Sequence, residues 1–559
     1  MINKYKTTSY LIATLKKYNI NTIVASPGVQ NSWFNAYVQE DNFFKCFSVI
    51  DERSAAYVAT GMINEINKPV VITCTGATAS RNYLSALTEA YYRKLPVIAI
   101  TFYNPFSSPY NMEQQYVDRR VSQSDIKTAD VHLPVVKDDE DISQVLVLLN
   151  FAIATALYKK EPVHINCPAY YDYETINSDL PVVQKMEYYE QIPHDLSNEI
   201  SKQNTAIFIG THNHFSKEEE NAISSFAIAW DIPVICDHVS KYHGANKVLV
   251  SQSFSMRRNL THKPKLVIDI GNLSGDFAYK SVFKSNPRVW RVSNNTDFKF
   301  RNNVISEKYF NICEKSFFES LLPKNKIQNG YYSFLKKQLD ELSIPDLPLC
   351  NSLVCQKLAE LLPKNCAFHA SIYNSIQQIN RFQLDETIDV NSNIGGFGID
   401  GPVSTIVGQS IINPEKKYFG LIGDSAFFYD MNALGIRHIK NNLRIIVINN
   451  GKGVLFRLGE VLEKTLKEKT DILIASGGHN KGGAKGWAES CGFGYMKAEN
   501  KEEFLNQINH FCNDDFDKPI IFEVFTTTKD EQDGNMLMQN HNRNNIEEGA
   551  IKIYKAFKA

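Results

Sequence analysis

Short apolar runs alternate with amphipathic segments along the first part of the chain. Residues 22–25, 70–74 and 96–101 are runs of strand length, and residues 7–18 place their apolar side chains at helical spacing. A further helical segment, residues 79–93, lies between the second and third runs. Strands that alternate with helices in this way predict an α/β fold built on a doubly wound parallel sheet.

The same alternation begins again twice further along the chain. Apolar runs between residues 205 and 271 indicate a second α/β unit, and a third begins near residue 351. No G-x-G-x-x-G follows the strands of the middle unit, so a nucleotide site is not indicated there. Segments rich in Pro and polar residues, 181–193 and 323–348, are interpreted as linkers. We therefore predict three doubly wound parallel-sheet domains, at residues 1–185, 186–345 and 346–559.

Composition narrows the class of protein. The length of 559 residues is enough for about two to four domains. A net charge of −1 gives no electrostatic reason to expect nucleic acid or an anionic membrane as a partner. The ten cysteines form no C-x-x-C pair, and no run of eighteen apolar residues occurs. We therefore expect a reduced cytoplasmic protein that neither spans a membrane nor binds nucleic acid.

The stretch 419–456 carries the strongest chemical signal. It predicts a strand ending in Gly-Asp-Ser, a helix from residue 427 to 439, and a strand ending in Asn-Asn-Gly-Lys-Gly. A right-handed crossover makes the strands parallel and places both loops at one sheet edge. Asp424 and Asn450 would then supply oxygen atoms for a magnesium ion that also binds phosphate oxygens. The alternative interpretation is two ordinary strand-to-helix turns.

This stretch resembles the GDG…NN signature of thiamine-diphosphate enzymes, with Ser425 at the variable third position. The resemblance implies that thiamine diphosphate and Mg²⁺ are bound here. It implies Mg²⁺ binding by the side chains of Asp424 and Asn450 and by the main-chain carbonyl of Lys452. The neighbouring residues implied to contact the cofactor are Gly423, Ser425, Ala426, Gly453, Val454, Leu455 and Phe456.

A second segment of the same family type follows the strand near residue 50. The sequence DERSAAYVATG places Glu52 at a helix start, where a carboxylate is also explained simply by the helix dipole. The resemblance implies that Glu52 is the catalytic glutamate, which hydrogen-bonds the cofactor's pyrimidine ring. It also implies the domain order: pyrimidine-binding, central Rossmann-like and diphosphate-binding.

Within that family, the chain resembles the menaquinone-pathway 2-succinyl-5-enolpyruvyl-6-hydroxy-3-cyclohexene-1-carboxylate (SEPHCHC) synthases. The segments ASPGVQNSWF and SNIGGFGIDGPVSTIVG carry this resemblance. It implies that Ile399, beside Gly398, bends the cofactor, and that Leu455 and Phe456 lie over its thiazolium ring. Further residues implied to contact cofactor or substrate are Asn374, Ser375, Gln30, Asn104, Gln114 and Gln115.

The departures from the synthases concern charge. Those enzymes bind two acidic substrates with a ring of cationic side chains. Arg binds carboxylates in a bidentate geometry that neutral side chains do not reproduce. None of the corresponding positions in this chain is cationic: Gln30, Asn104, Asp276, Phe277, Ile379 and Ile394. We therefore expect a small monocarboxylic 2-oxo acid as donor and a neutral polar acceptor. Lys452 and Arg457 are the remaining candidates to hold the donor carboxylate.

The resemblance implies an enzyme that decarboxylates a 2-oxo acid and transfers the acyl carbanion to an acceptor. Four alternatives remain: a genuine SEPHCHC synthase, a simple 2-oxo acid decarboxylase, a flavin-dependent relative, and a catalytically silent cofactor-binding subunit. In this family the cofactor bridges two chains, with the glutamate on one and the metal site on the other. We therefore expect a homodimer or homotetramer.

Overall fold

The computed structural model describes residues 5–106, 108, 110, 112, 114–115, 122–169, 179–256, 262–323, 329–458, 460–475 and 483–542. Its strands form three parallel sheets of six, seven and six strands with helices between them. The predicted α/β class with parallel sheets is therefore confirmed.

The strands of the described residues, numbered in chain order, are β1 (Thr22–Ala25), β2 (Lys45–Ser48), β3 (Val70–Thr75), β4 (Val97–Tyr103), β5 (Ala129–His132), β6 (Val163–Pro168), β7 (Glu187–Tyr189), β8 (Thr205–Ile209), β9 (Val234–Cys236), β10 (Lys247–Leu249), β11 (Leu266–Ile270), β12 (Arg288–Val292), β13 (Lys308–Phe310), β14 (Ala367–Ala370), β15 (Asp389–Asn391), β16 (Tyr418–Gly423), β17 (Leu443–Asn449), β18 (Gly494–Ala498) and β19 (Ile520–Phe525). The α-helices are Thr7–Lys17, Ser32–Glu40, Glu52–Ile66, Thr78–Asn82, Leu84–Tyr92, Asp139–Ala154, Leu196–Ser201, Lys217–Trp230, Tyr279–Phe283, Glu314–Ser320, Tyr331–Asp340, Asn351–Leu361, Asn374–Ile379, Pro402–Ile412, Asp424–Asp430, Leu455–Leu458, Glu460–Leu466, Thr470–Leu473, Lys485–Ser490, Lys501–Asn513 and Thr528–Asn540.

The first of two compact units comprises Met1–Ile192 and Arg288–Cys313. Its six-stranded sheet has the order β2-β1-β3-β4-β6-β5, and β12, β13 and β7 pair in that order. The side chains of β4 are buried along the whole strand. A strand that is buried on both faces has a continuous run of apolar residues. This run is why β4 could be predicted from the sequence.

The second unit comprises Pro193–Pro287 and Glu314–Ala559. It contains the strands β10-β9-β8-β11 and a six-stranded sheet of order β15-β14-β16-β17-β19-β18. The two central strands of the latter sheet, β16 and β17, are almost fully buried. The three-domain boundaries at residues 185 and 345 stay a prediction.

Tertiary packing alters several elements expected from the sequence. The helix expected over 427–439 ends at Asp430 and is followed by a 3-10 turn, Met431–Gly435. The helix expected over 79–93 is divided at Tyr83, whose side chain is fully buried. The segment interpreted as the second linker contains the helix Tyr331–Asp340, which buries two apolar residues at helical spacing. The first supposed linker contains β7.

One helical stretch of the described residues, Asp139–Lys159, is long and apolar enough to cross a membrane by length and composition alone. Its apolar composition has an explanation inside the fold. Val145, Leu149, Ala152 and Ile153 are fully buried and belong to the hydrophobic core of the first unit. The stretch therefore packs as a core helix.

Candidate active site

The Gly-Asp-Ser and Asn-Asn-Gly loops lie at the same edge of one sheet. Strands β16 and β17 are hydrogen-bonded neighbours and parallel, with Gly423 paired to Ile448. Asp424 begins the helix after β16, and Asn450 follows β17 directly. Two side chains that are far apart in sequence are thus delivered to adjacent loops, as the crossover argument predicts.

Asp424 ties the two loops together. Its side chain is buried, and its Oδ2 accepts the Gly451 N–H at 2.8 Å. Its Oδ1 accepts the Ser425 N–H at 2.7 Å. Gly451 has a φ of +75°, a conformation that glycine adopts without the penalty of a Cβ. The glycine therefore allows the second loop to turn its N–H towards the carboxylate.

The two asparagines at the start of the second loop have different roles. Asn449 is buried, and its Nδ2 donates to Glu523 Oε1 at 2.6 Å. Glu523 is fully buried and also accepts the Tyr495 hydroxyl at 2.7 Å. Among the residues that the structure describes, Asn450 Oδ1 has one long contact, 3.4 Å from the Lys452 N–H. Asn449 thus holds the loop, and Asn450 is the amide available to a ligand.

The oxygen set at this edge suits Mg²⁺. It combines the Asp424 carboxylate, the Asn450 amide oxygen and the Lys452 carbonyl, which otherwise accepts the Val454 N–H at 2.9 Å. Magnesium prefers oxygen ligands and is commonly held by one or two carboxylates together with substrate phosphates. Among the described residues, no group of three or more His, Cys, Asp and Glu side chains could hold a metal. Phosphate oxygens and water would complete the coordination of a magnesium ion held here.

The remaining residues of the second loop continue into a short helix, Leu455–Leu458. Val454 is buried in the core, whereas the side chain of Phe456 is 45% exposed. Gly453 approaches the Phe456 ring so closely that a Cβ would lie 3.3 Å from it. Among the residues predicted to contact the cofactor, Phe456 therefore offers an apolar surface.

A third loop reaches the same edge from β14, which pairs with β16. It contains Tyr373, whose φ of +60° is strained for a residue with a side chain. The helix Asn374–Ile379 follows. Ser375 Oγ accepts the Ser371 hydroxyl at 3.1 Å, and Ser371 Oγ accepts the Gly423 N–H at 3.4 Å. The predicted residues Asn374 and Ser375 are thus linked to the loop that carries Asp424.

The orientation of Asn374 is fixed by a buried network. Its Oδ1 accepts Gln378 Nε2 at 2.9 Å, and its side chain also hydrogen-bonds Glu531. Glu531 accepts the Asn351 N–H at 3.0 Å and the Thr526 hydroxyl at 2.9 Å. Burial raises the pKa of Glu531 to about 7. Sequence reasoning missed Glu531, because no motif marks a single acidic residue in a polar C-terminal helix.

The segment with Gly398 and Ile399 contains a second strained residue. Phe397 has a φ of +52°, and its ring packs edge-on against Tyr373 at 5.0 Å. The Phe277 ring stacks on that of Phe397 at 5.5 Å and also contacts the Tyr373 ring edge-on at 6.4 Å. Ile399 is 38% exposed. Strained backbone held by packing is concentrated at functional sites, so the two loops are consistent with a binding role.

The positions expected to line a substrate site differ in their burial and in their contacts. Ile379 and Ile394 lie in the hydrophobic core of the second unit, which explains why neither is polar. Asp276 is buried, its Oδ2 accepts the Ser251 hydroxyl at 2.5 Å, and burial raises its pKa to about 6. Phe277 remains partly exposed.

The two cations expected to hold a donor carboxylate already have acidic partners. Lys452 Nζ lies 2.6 Å from Asp471 Oδ2. Arg457 Nε lies 3.2 Å from Glu463 and 3.7 Å from Asp471. These ion pairs favour a structural role for both cations in the segment after the Asn-Asn-Gly loop.

Cations that the sequence did not reveal line a cavity of about 470 Å³ in the second unit. They are Lys263, Lys284 and Arg381, and the same wall includes Asn374 and Leu455. Scattered single cations have no sequence signature. Only the fold places them beside the residues predicted to contact the cofactor.

In the first unit, Glu52 begins the helix Glu52–Ile66 after an Asp51 N-cap. Its Oε2 accepts Asn82 Nδ2 at 2.9 Å. The side chain is partly exposed, so it is oriented by one neighbour and remains accessible. Asn82 was not singled out from the sequence, because its contact with Glu52 depends on the packing of two helices.

The amides predicted for the substrate side in the first unit have mixed environments. Gln30 is buried, and its Oε1 accepts the Gly76 N–H at 2.9 Å, so it links two loops. Asn104 Oδ1 accepts the Phe106 N–H at 3.0 Å. Gln114 and Gln115 are exposed. Of these four amides, Gln30 therefore has a clear structural role.

Comparison with known proteins adds two kinds of match. Residues 5–126 match the family model of the thiamine pyrophosphate enzyme N-terminal TPP binding domain. Residues 169–240 match a domain of unknown function. The SEPHCHC synthase of Bacteroides fragilis is 28% identical over 554 residues, which is 94% of this chain and 97% of that protein. The Flavobacterium johnsoniae synthase is 28% identical over 91% of this chain and 94% of its own length, and the Staphylococcus aureus synthase is 25% identical over 79% and 81%.

In its sequence, the chain is similar to the thiamine pyrophosphate enzymes. The predicted resemblance, including the closeness to SEPHCHC synthases, is thereby confirmed. The matches support an enzyme that uses thiamine diphosphate. The N-terminal match includes Glu52, and the similarity to the synthases extends over most of the chain.

Proposed function

We propose that this protein is a thiamine-diphosphate- and Mg²⁺-dependent enzyme that joins a decarboxylated 2-oxo acid to an acceptor. The observation that carries the proposal is the meeting of three loops at one sheet edge, with Asp424, Asn450 and the Asn374 loop side by side in the fold. Similarity to SEPHCHC synthases over 94% of the chain supports the same reaction class.

Different residues of the chain would bind the cofactor, hold the metal ion and move a proton. When bound, thiamine diphosphate supplies the electron sink that accepts the carbanion left after loss of carbon dioxide. Asp424, Asn450 and the Lys452 carbonyl would hold the magnesium ion and, through it, the diphosphate. Glu52, oriented by Asn82, would hydrogen-bond the pyrimidine ring and move a proton there. We also propose that the active unit is at least a homodimer.

For the substrates, we propose a pair different from that of the SEPHCHC synthases. The positions expected to carry cations are neutral, acidic or apolar, and two of them lie in the core. A specific observation favours a second candidate, the SEPHCHC reaction itself. The cavity beside Asn374 carries three cations at other positions, and cations suit acidic substrates.

One experiment separates the candidates. The protein is incubated with thiamine diphosphate and Mg²⁺, a panel of 2-oxo acids and a panel of acceptors, and the products are identified by mass spectrometry. Turnover of a pair other than 2-oxoglutarate with isochorismate supports the first candidate. Efficient turnover of that pair alone supports the second. Cofactor binding without turnover of any pair would leave the silent cofactor-binding subunit as the better account.

A further inference from the structure

Three polar side chains of the first unit form a continuous chain of hydrogen bonds. His164 Nε2 lies 2.7 Å from the Thr101 hydroxyl, and His164 Nδ1 lies 2.7 Å from Asp130 Oδ1. The three residues stand on β4, β6 and β5, which are neighbouring parallel strands of one sheet. Because alternate residues of a strand point to the same face, their side chains meet on one face of that sheet.

The charge of Asp130 decides which ring nitrogen of His164 carries the proton. Burial acts to raise the pKa of Asp130, but the hydrogen bonds and charges of His164 and Lys127 outweigh it and lower this pKa to about 2. The carboxylate is therefore ionised at neutral pH, and a neutral His164 keeps its proton on Nδ1. Its Nε2 then accepts the Thr101 hydroxyl, as a general base does. The same hydroxyl lies 3.1 Å from Asn166 Oδ1, a second acceptor when the imidazole is protonated.

The chain of hydrogen bonds ends at a cavity of about 260 Å³, whose wall includes Thr101 and His164. Ala99, which pairs with His164 across the two strands, also lies in the wall, and its small side chain leaves room beside the imidazole. Leu84 and Leu87 supply an apolar side. Cavities that bind drug-sized molecules measure about 300–1,000 Å³, so this one suits a smaller molecule.

We propose that the first unit has a second activity, the hydrolysis of small carboxylic esters in this cavity. Thr101 is the nucleophile, His164 is the general base, and Asp130 is the positioning residue that holds the imidazole. A nucleophile, a base and a group that orients the base recur in acyl-transfer sites on unrelated folds. Lys127 and Arg81 place positive charge in the same wall, where it would stabilise the oxygen that becomes negative.

The reaction has two steps. Thr101 Oγ attacks the acyl carbon while His164 Nε2 takes the hydroxyl proton, and the bond from that carbon to the alcohol oxygen breaks as Nε2 returns the proton to that oxygen. A water molecule, deprotonated by Nε2, then attacks the acyl-threonine. The carboxylic acid leaves, and Thr101 regains its proton from Nε2.

The first test measures ester hydrolysis by the full-length protein with thiamine diphosphate and Mg²⁺, through the absorbance of 4-nitrophenolate released from 4-nitrophenyl acetate. Thr101→Val, which keeps the shape but removes the hydroxyl, should lower kcat by about 10²-fold or more. Thr101→Ser, which keeps a hydroxyl, should retain most of the activity. Thr88→Val, on the helix Leu84–Tyr92 and outside the cavity wall, is the matched control and should hydrolyse like the wild type.

The role of Asp130 has its own readout. Asp130→Asn should lower kcat by about 10²–10⁴-fold with KM unchanged, because the ester still binds while the imidazole loses its orienting charge. A loss confined to thermal stability would assign Asp130 a structural role and overturn the triad. Thr101→Val should bind thiamine diphosphate like the wild type, so the failure of either function can be recognised separately.

The second test identifies the nucleophile without relying on a variant. An alkyl fluorophosphonate forms a bond from phosphorus to an activated hydroxyl oxygen and releases fluoride. Peptide mass spectrometry of the treated wild type should find the phosphonyl group on Thr101. The proposal is overturned if Thr101 stays unlabelled, or if Thr101→Val hydrolyses the ester as fast as the wild type.

Discussion

At the scale of single residues, we propose that the chemistry depends most on Glu52. Glu52→Gln keeps the side-chain size and the contact with Asn82 but removes the acid. We expect cofactor binding to persist and exchange of the thiazolium proton to slow by about 10²–10⁴-fold, the usual contribution of a general acid or base. Exchange is followed by NMR in deuterated buffer. Glu65→Gln, an exposed change on the same helix, is the matched control, and wild-type exchange in Glu52→Gln would refute the role.

The raised pKa of Glu531 predicts how the free energy of unfolding changes with pH. Its pKa rises from an ordinary 4.5 to about 7 in the folded protein because the carboxyl is buried. Between these values the unfolded chain is ionised while the folded protein keeps the proton, so the free energy of unfolding should fall as pH rises. The fall amounts to about 3 kcal/mol over this window.

Urea denaturation of wild type and Glu531→Gln at pH 4.5 to 7 checks this expectation. The variant should lack this part of the pH dependence, because its amide does not titrate. Glu415→Gln, an exposed change in the same unit, should retain it. Equal slopes in Glu531→Gln and the wild type would show that the carboxyl is ionised throughout.

Some residues of the candidate site could be located from the sequence, and others could not. Asp424 and Asn450 could be located because strand-end loops of a βαβ unit must share an edge. Glu531 and the cations of the cavity could not, because their neighbours come from distant parts of the chain. Ile394 sits in a well-matched segment, yet only the fold shows it in the core. The position of a loop that carries a motif was predictable, and contacts created by packing were not.

At the scale of elements, the second loop depends on the left-handed backbone conformation of Gly451. A side chain at φ +75° costs about 1–2 kcal/mol, so Gly451→Ala should lower the free energy of unfolding by that amount. Gly408→Ala should do the opposite, because it lies in the helix Pro402–Ile412 with open space around it. We expect Gly408→Ala to raise the free energy of unfolding by about 1 kcal/mol. Urea denaturation of both variants tests the pair, and stabilisation by Gly451→Ala would contradict the account.

Element boundaries were predictable where burial is continuous and not where packing interrupts a pattern. The predicted strand 22–25 coincides with β1, and the helix starting at residue 7 ends at Lys17. The helix from Asp424 is much shorter than the 427–439 pattern indicates, because the chain turns into a 3-10 segment at Met431. The short strand β7 lies in a polar, Pro-containing segment and gave no signal.

At the scale of the whole molecule, the proposed homodimer makes a complementation prediction. Glu52 and Asp424 lie in separate compact units, and the proposed homodimer would combine them from two chains at each active site. Mixing inactive Glu52→Gln and Asp424→Ala chains should restore activity, because mixed dimers contain one intact site. Random exchange at equal concentrations gives about a quarter of the wild-type activity. No recovery, with subunit exchange demonstrated by mass spectrometry, would exclude shared sites.

We propose that Asp424 and Asn450 hold magnesium and, through it, thiamine diphosphate. Isothermal titration calorimetry of thiamine diphosphate, with and without Mg²⁺, tests it most directly. The wild type should bind only with the metal, and Asp424→Ala should weaken binding by about a hundredfold or more, since even outer-shell partners of metal ligands contribute about 10–100-fold. Glu415→Ala should bind like the wild type. Unchanged, metal-dependent affinity in both Asp424→Ala and Asn450→Ala would contradict the account.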